Sequence, residues 1–189
     1  MIPMTKELAA QIDEVERLAK PRGDAMQVNR DQGEMLTSLA LAHRAKLIVE
    51  VGTSYGFSGL WWSAALAFSG GHLHTIDVLE KKYAAAKEAF AAAGVAARVT
   101  SHLGNARDVL ATIDGPIDVA FIDADKPSSG AYFDLLWPKL RVGGAILTDN
   151  ILSHRDVMAP YVAALRARDD AHSVTIPIRA GMEWTVKLK

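Results

Sequence analysis

Alternation of strand-like and helix-like segments constrains this chain more than any other feature of its sequence. From Lys46 onward, short runs rich in β-branched residues alternate with longer alanine-rich segments of helical length. Parallel strands need a long crossover, usually a helix, so this alternation predicts an α/β fold with a doubly wound, mostly parallel sheet and helices on both faces. The predicted strands are KLIVEV, HLHTID, RVTSHL, IDVAFID and GAILTD, and the clearest helices between them are SGLWWSAALAF and EKKYAAAKEAFAAAG.

The two ends of the chain complete this architecture. HSVTIPI and EWTVKLK are β-rich runs separated by RAGM, which predicts an antiparallel hairpin at one edge of the sheet. Before Lys46, KELAAQIDEVERLAK and DQGEMLTSLALAHR have the periodicity of amphipathic helices. With 189 residues and 50% hydrophobic content, the chain has material for one core. We therefore predict a single domain over residues 1–189, in which N-terminal helices within residues 1–45 cover a site formed by residues 46–189.

Composition excludes several functional classes. Lys and Arg number 21 against 22 Asp and Glu, and the formal net charge of -1 gives no electrostatic basis for binding nucleic acid or an anionic membrane. The absence of cysteine rules out disulfides, thiolate metal ligands and cysteine nucleophiles. The sequence has neither an apolar run of membrane-spanning length nor a secretory signal at its start, so we expect a cytoplasmic protein with a small-molecule partner.

A glycine-rich loop follows the first predicted strand. The segment VEVGTSYGFSG contains Gly52, Gly56 and Gly59 and leads into the next helix. Glycine lets the backbone approach a ligand closely, and ligands of open parallel sheets bind beyond the carboxyl ends of the strands. Asp77 ends the second strand, where a carboxylate can accept both ribose hydroxyls of a nucleoside. The loop therefore predicts a nucleoside ligand, although a tight strand-to-helix turn alone gives the same pattern.

Glu50 and the glycine spacing distinguish between two nucleoside ligands. Dinucleotide-binding loops have the spacing G-x-G-x-x-G, whereas this loop is G-x-x-x-G-x-x-G with Glu50 two residues before the first glycine. A carboxylate at that position repels a diphosphate and attracts a cationic ligand such as S-adenosylmethionine. A nucleotide-dependent oxidoreductase on the same type of sheet stays open as an alternative.

Polar residues follow two later strands of the predicted sheet. Asp123 ends the fourth strand, and Asp149 and Asn150 end the fifth, so their side chains are expected at one edge of the sheet. Two carboxylates and an amide oxygen are hard ligands that suit Mg²⁺ or another divalent cation. Lys126, three residues after Asp123, is placed to accept or relay a proton. Each residue alone is more typical of a helix cap or a turn, and Asp125 is interpreted as a cap or as a group that supports the site residues.

Several linked motifs resemble one enzyme family. VEVGTSYGFSG, HLGNARDVL, VAFIDADK, LRVGGAILTDNIL and IPIRAGM resemble, in order and spacing, the metal-dependent class I O-methyltransferases of the catechol and caffeoyl-CoA type, including their small bacterial relatives. The resemblance implies a Rossmann-like sheet of seven strands with its last pair reversed. It also implies S-adenosylmethionine as methyl donor, a divalent metal, a catechol-like or phenolic acceptor with vicinal hydroxyls, and the homodimer common in the family.

Matching positions assign roles to individual residues within this resemblance. The donor site would contain Val28, Glu50, Gly52, Ser58, Asp77, Asn105 and Ala106. The metal would be held by Asp123, Asp149 and Asn150, and catalysis would involve Lys126 together with Asp123. Met26 and Glu183 would lie toward the acceptor.

The chain departs from the family pattern mainly around the acceptor. Ser129 and Ser153 stand where the family often has aromatic residues, and GNA at Asn105 replaces the more common GDA. The acceptor is therefore less well defined by the sequence than the reaction. A member of the same family that methylates a modified tRNA nucleotide, and a noncatalytic ligand-binding module, stay open as alternatives.

Overall fold

A seven-stranded sheet forms the centre of the computed structural model, which describes residues 4–189. The strand order is β3-β2-β1-β4-β5-β7-β6, with β1 to β5 parallel and β7 antiparallel to both of its neighbours. The predicted Rossmann-like sheet and its terminal hairpin are thereby confirmed. The strands are β1 (Leu47–Val51), β2 (His72–Asp77), β3 (Val99–Leu103), β4 (Ile117–Ile122), β5 (Leu140–Thr148), β6 (Ala171–Ile176) and β7 (Met182–Lys187).

Helices cover both faces of the sheet, and the sheet separates the core into two apolar clusters. One apolar cluster joins the first four helices to the sheet, and the other joins the last three helices to the opposite face. The helices are α1 (Lys6–Arg22), α2 (Arg30–Ala42), α3 (Phe57–Ser69), α4 (Glu80–Ala92), α5 (Ala106–Thr112), α6 (Ser129–Leu136) and α7 (Arg155–Arg166). Among residues 4–189, none of these helices combines the length and hydrophobicity that crossing a bilayer requires.

The order of the strands creates a cleft at the carboxyl edge of the sheet. From β1 the chain moves outward to β2 and β3, then returns to place β4 on the other side of β1. At such a reversal the connections leave in opposite directions, and a crevice opens beyond the ends of the two central strands. The loop after β1 and the loop after β4 border this crevice.

The link between α1 and α2, residues 23–29, is attached to the glycine loop. Gly23 ends α1 in a left-handed conformation with φ of 71°. The Tyr55 hydroxyl then donates to Asp24 Oδ1 at 2.8 Å, and Lys81 Nζ donates to Asp24 Oδ2 at 3.1 Å. These contacts hold the link beside the crevice, and α2 begins there at Arg30.

Candidate functional site

Gly52 brings the ends of β1 and β4 into close contact. Its φ is +103°, and a Cβ built on it would lie 2.0 Å from the carbonyl oxygen of Asp123. The Asp123 backbone N–H in turn donates to the Val51 carbonyl at 2.9 Å. Only glycine fits here, because any side chain would collide with the backbone of the neighbouring strand.

The other two glycines of the loop serve helix packing. A Cβ on Gly56 would meet the Phe90 ring at 3.2 Å, and a Cβ on Gly59 would meet it at 2.7 Å. Phe90 belongs to α4, so these glycines let α3 pack against α4 rather than receive a ligand. Spacing alone does not separate these two roles, because all three glycines occupy one short segment.

Glu50 is completely buried on β1, and its carboxylate accepts hydrogen bonds from neighbouring side chains. Trp62 Nε1 donates to one carboxylate oxygen at 3.2 Å, and Thr75 Oγ1 donates to the other at 2.6 Å. Burial raises the pKa of Glu50 to about 7 because the charged form loses its hydration, while bonds from Ser58, Thr75 and Trp62 oppose the shift. A cationic group bound nearby would favour the ionised carboxylate.

The raised pKa of Glu50 gives a pH-dependent contribution to stability. Its ordinary pKa is 4.5, so between about pH 4.5 and 7 the unfolded chain releases a proton that the native protein keeps. The free energy of unfolding therefore falls as the pH rises through this window. We expect Glu50→Gln to remove this part of the pH dependence and to be more stable than the parent by ~2–3 kcal/mol at pH 8. Urea denaturation of both proteins from pH 5 to 8 checks this, and parallel curves would contradict it.

Asp77 is held at the end of β2 by two backbone donors. The Ser54 N–H donates to its Oδ2 at 2.8 Å, and the Leu79 N–H donates to its Oδ1 at 2.9 Å. Val78, Leu79 and Leu103 lie around the ends of β2 and β3 with 68%, 52% and 45% of their surface exposed. A carboxylate beside exposed apolar side chains suits a ribose next to a flat base, and the apolar part of this pattern was not predicted from the sequence.

Asn105 and Ala106 continue the same rim. Asn105 caps α5, and its Oδ1 accepts from the Arg107 N–H at 2.9 Å. Ala106 is buried at the first position of that helix. Gly104, between β3 and this cap, donates its N–H to the Asp77 carbonyl at 2.9 Å. The predicted residues Asp77, Asn105 and Ala106 therefore lie along one side of the crevice.

Asp123, Lys126 and Asp149 meet at the ends of β4 and β5. The Asp149 N–H donates to the Ile122 carbonyl at 3.0 Å, which fixes the two strand ends together. Lys126 Nζ lies 3.2 Å from Asp123 Oδ1, and both side chains are largely buried. Burial and, to a smaller extent, the nearby charge of Asp123 together raise the pKa of Asp149 to about 7. The pKa of Asp123 is also raised by burial, against the opposing charge of Lys126.

This donor set fits a divalent cation. Two carboxylates that disfavour each other's charge, in a setting with little water, are stabilised when a cation binds between them. Asn150 follows directly with φ of 68°, a left-handed conformation that asparagine tolerates. Within residues 4–189 no group of three or more His, Asp or Glu side chains is arranged for metal binding, so a cation here would also need the Asn150 amide and water.

The remaining predicted residues lie at different depths around the crevice. Val28, on the link before α2, is 3% exposed, whereas Met26 is 78% exposed on the same link. Ser58 is buried in the first turn of α3. Asp125 caps a short 3-10 turn over Lys126–Ser128, as predicted, and its Oδ1 accepts from the Tyr132 hydroxyl at 2.6 Å.

Glu183 lies on the opposite face of the sheet from the carboxylates. It pairs with Thr148, whose hydroxyl contacts Tyr161 of α7, and cross-strand partners point to the same side. Its carboxylate is fully buried and accepts from Arg166 Nε at 3.1 Å and Ser173 Oγ at 2.8 Å. The structure therefore does not bring Glu183 together with Asp149, which contacts α2, and gives no support to the predicted acceptor contact.

Two loops form the wall of the crevice beyond Asp149. The N–H groups of Ile151 and Leu152 donate to the carbonyls of Gly181 and Ala180 at 3.0 and 2.8 Å. Ser153 and His154, on the same loop, are exposed. The hairpin tip thus packs against the segment that follows Asn150. Gln32 of α2 also reaches this region, and the sequence analysis did not identify it.

Comparison with known sequences identifies the family to which the chain is similar. The O-methyltransferase family profile matches residues 5–175. A catechol O-methyltransferase of Niastella koreensis is 35% identical over 145 residues, which cover 75% of this chain and 65% of the relative. A caffeoyl-CoA O-methyltransferase of Mesembryanthemum crystallinum is 32% identical over 154 residues, which cover 78% of this chain and 60% of the relative. The matched part of the chain thus spans less than two thirds of these relatives.

Comparison with solved structures extends over nearly the whole fold. An O-methyltransferase from Bacillus cereus in complex with S-adenosylhomocysteine superposes with a TM-score of 0.87 and 25% identity, covering 99% of this chain and 93% of that one. An O-methyltransferase from Streptomyces achromogenes in complex with S-adenosylmethionine has a TM-score of 0.85 and 26% identity, covering 100% of this chain and 92% of that one.

Proposed function

Because the chain belongs to the O-methyltransferase family, we propose that it transfers the methyl group of S-adenosylmethionine to a hydroxyl oxygen of a small phenolic or catechol-like acceptor with vicinal hydroxyls. One observation carries the proposal. The Asp123–Lys126 pair and Asp149 meet beside Gly52, where the ends of β1, β4 and β5 border one crevice. This arrangement supports an acceptor site next to the donor site.

The donor would bind along the β1 and β2 side of the crevice. Asp77 would accept the ribose hydroxyls, and the adenine would lie by Val78, Leu79 and Leu103, near Asn105 and Ala106. The methionine end would lie by Gly52, Ser58 and Val28, with the charge of Glu50 opposite its ammonium group. A nucleotide-dependent oxidoreductase is disfavoured by family membership and by the buried carboxylate of Glu50, which precedes the loop that would hold a diphosphate.

The acceptor would bind at the β4 and β5 ends. Asp123, Asp149 and Asn150 would hold a divalent cation, which when bound lowers the pKa of an acceptor hydroxyl. Lys126, once it has released its own proton to water, would accept the hydroxyl proton as a neutral amine. The oxygen would then attack the methyl carbon as the carbon–sulfur bond breaks, giving a methyl ether and S-adenosylhomocysteine.

The protein's contribution is alignment of the two substrates. The hydrogen-bonded strand ends fix Asp123 and Asp149 relative to Gly52, which would hold the attacking oxygen and the sulfonium in line. Met26 and the loop around Ser153 would form the outer wall of the acceptor site. A homodimer stays a prediction from the resemblance, and a cytoplasmic location stays a prediction from the sequence.

A methylation screen with and without divalent cation tests the proposal. We expect vicinal aromatic diols to be methylated in the presence of Mg²⁺, and chelation with EDTA to lower the rate by at least ~100-fold until Mg²⁺ is restored. Monophenols of the same size are the matched control and should react poorly. Thermal stabilisation by S-adenosylhomocysteine but not by NAD is expected alongside.

Each part of the proposal has a result that contradicts it. Full activity after chelation would exclude the metal role, and no thermal shift with S-adenosylhomocysteine would exclude the donor. Methylation of bulk tRNA in preference to every diol would replace the small acceptor with a nucleotide one.

A further inference from the structure

Gln32 connects the start of α2 to Asp149. It is 1% exposed and occupies the third position of the helix. Its Oε1 accepts from the Asn29 backbone N–H at 3.0 Å, and its Nε2 donates to Asp149 Oδ1 at 3.1 Å. One side chain thus completes a helix cap and contacts a carboxylate 117 residues away in sequence.

The cap fixes which way the Gln32 amide points. A backbone N–H can only donate, so the amide oxygen must face Asn29 and the NH₂ group must face Asp149. A second bond from Asn29 Nδ2 to the same oxygen, at 3.3 Å, supports this orientation. The hydrogen bonds at the start of α2 therefore orient the NH₂ group that donates to Asp149.

The helix cap alone does not require glutamine at position 32. Glutamate serves equally well at the third position of a capping box. Here a glutamate would place a second negative charge about 3 Å from Asp149, which is already crowded by Asp123. Glutamine keeps the acceptor for the cap and supplies a neutral donor to the carboxylate.

Neighbouring contacts tie this residue to the acceptor wall. The Gln32 N–H donates to Asp31 Oδ1 at 3.0 Å, and Arg179 Nε of the β6–β7 hairpin donates to Asp31 Oδ2 at 2.7 Å. The first turn of α2 therefore contacts both the hairpin tip and Asp149.

We propose that Gln32 is a positioning residue that holds one oxygen of Asp149, so that the other stays directed toward a bound divalent cation. The inference rests on the metal site of the proposed function. Hydrogen-bonded partners of metal-ligating carboxylates orient the ligand, and their loss typically weakens metal affinity by about 10–100-fold.

Mn²⁺ binding to the purified protein, measured by electron paramagnetic resonance of the free ion, tests this without relying on turnover. We expect Gln32→Met to weaken Mn²⁺ binding at least ~10-fold while S-adenosylhomocysteine affinity stays within about threefold of the parent. Asn29→Ala is the matched control for the cap. It should lower the melting temperature by about 3 °C and leave Mn²⁺ affinity unchanged.

If Gln32→Met folds poorly, Gln32→Glu separates the role of Gln32 in the helix cap from its contact with Asp149. It keeps the cap but adds a carboxylate beside Asp149, so we expect the metal-free variant to melt below the parent and to gain more from saturating Mn²⁺. Mn²⁺ affinity equal to the parent in Gln32→Met, or a Gln32→Glu variant that matches the parent with and without Mn²⁺, would overturn the inference. A parent that binds no Mn²⁺ would instead contradict the metal site itself.

Discussion

Replacing Asp149 by alanine is expected to lower methyl transfer by at least ~1000-fold, because the divalent cation that Asp149 would hold is then lost, and with it several kcal/mol of stabilisation of the reacting oxygen in the transition state. Donor affinity should stay within about threefold, since the proposed donor contacts lie along β1 and β2. The measurement is kcat with a reactive diol at saturating Mg²⁺, together with calorimetric titration of S-adenosylhomocysteine.

Two further variants make this result interpretable. Asp149→Asn keeps the side-chain shape and an acceptor for Gln32, so it should remain folded while losing most of the activity. Asp156→Ala removes an exposed carboxylate from the first turn of α7 and should change kcat less than about twofold. Near-parental activity in Asp149→Ala would remove Asp149 from the proposed site.

Replacing Gly52 by alanine is expected to destabilise the protein by about 4 kcal/mol or more, among the largest effects of a single substitution. The added Cβ would lie 2.0 Å from the Asp123 carbonyl oxygen, so β1 and β4 must separate. This separation would displace both Asp123 and the glycine loop. Urea denaturation measures the stability, and S-adenosylhomocysteine binding at low temperature measures the site.

Gly23→Ala is the matched control for this substitution. Gly23 also has a positive φ, +71°, but a Cβ there would meet nothing within 4 Å. Its replacement should cost only the strain of a left-handed alanine, about 1–2 kcal/mol. If both variants lost a similar free energy of unfolding, the positive φ, and not contact with the end of β4, would be what makes glycine necessary at position 52.

The alternation of segments predicted the architecture well because strands and helices reflect local periodicity. The runs KLIVEV and IDVAFID became β1 and β4, and the final two runs became the β6–β7 pair. The helices α5 and α6 were expected only as crossovers, and α7 was not predicted. Two of them have seven and eight residues, too short to show a clear amphipathic period.

Apart from the positions assigned by family resemblance, the candidate site was predicted where a strand end determined the position. Asp77, Asp123 and Asp149 all end parallel strands, and a parallel sheet brings such ends to one edge. Gln32 lies on a helix far away in sequence, and only tertiary packing brings it to Asp149. The face on which Glu183 lies depends on its register with Thr148, and a shift of one residue would reverse it.

The hydrogen bonds that join the strand ends have a consequence for how the protein can be altered. The N–H groups of Asp123 and Asp149 are fixed to the neighbouring strands, whereas Met26 and Ser153 lie on connecting segments outside the sheet. Loops tolerate substitution better than the strands that carry them. Directed evolution confined to Met26 and to residues 153–154 should therefore yield variants with new acceptor ranges that retain the proposed chemistry.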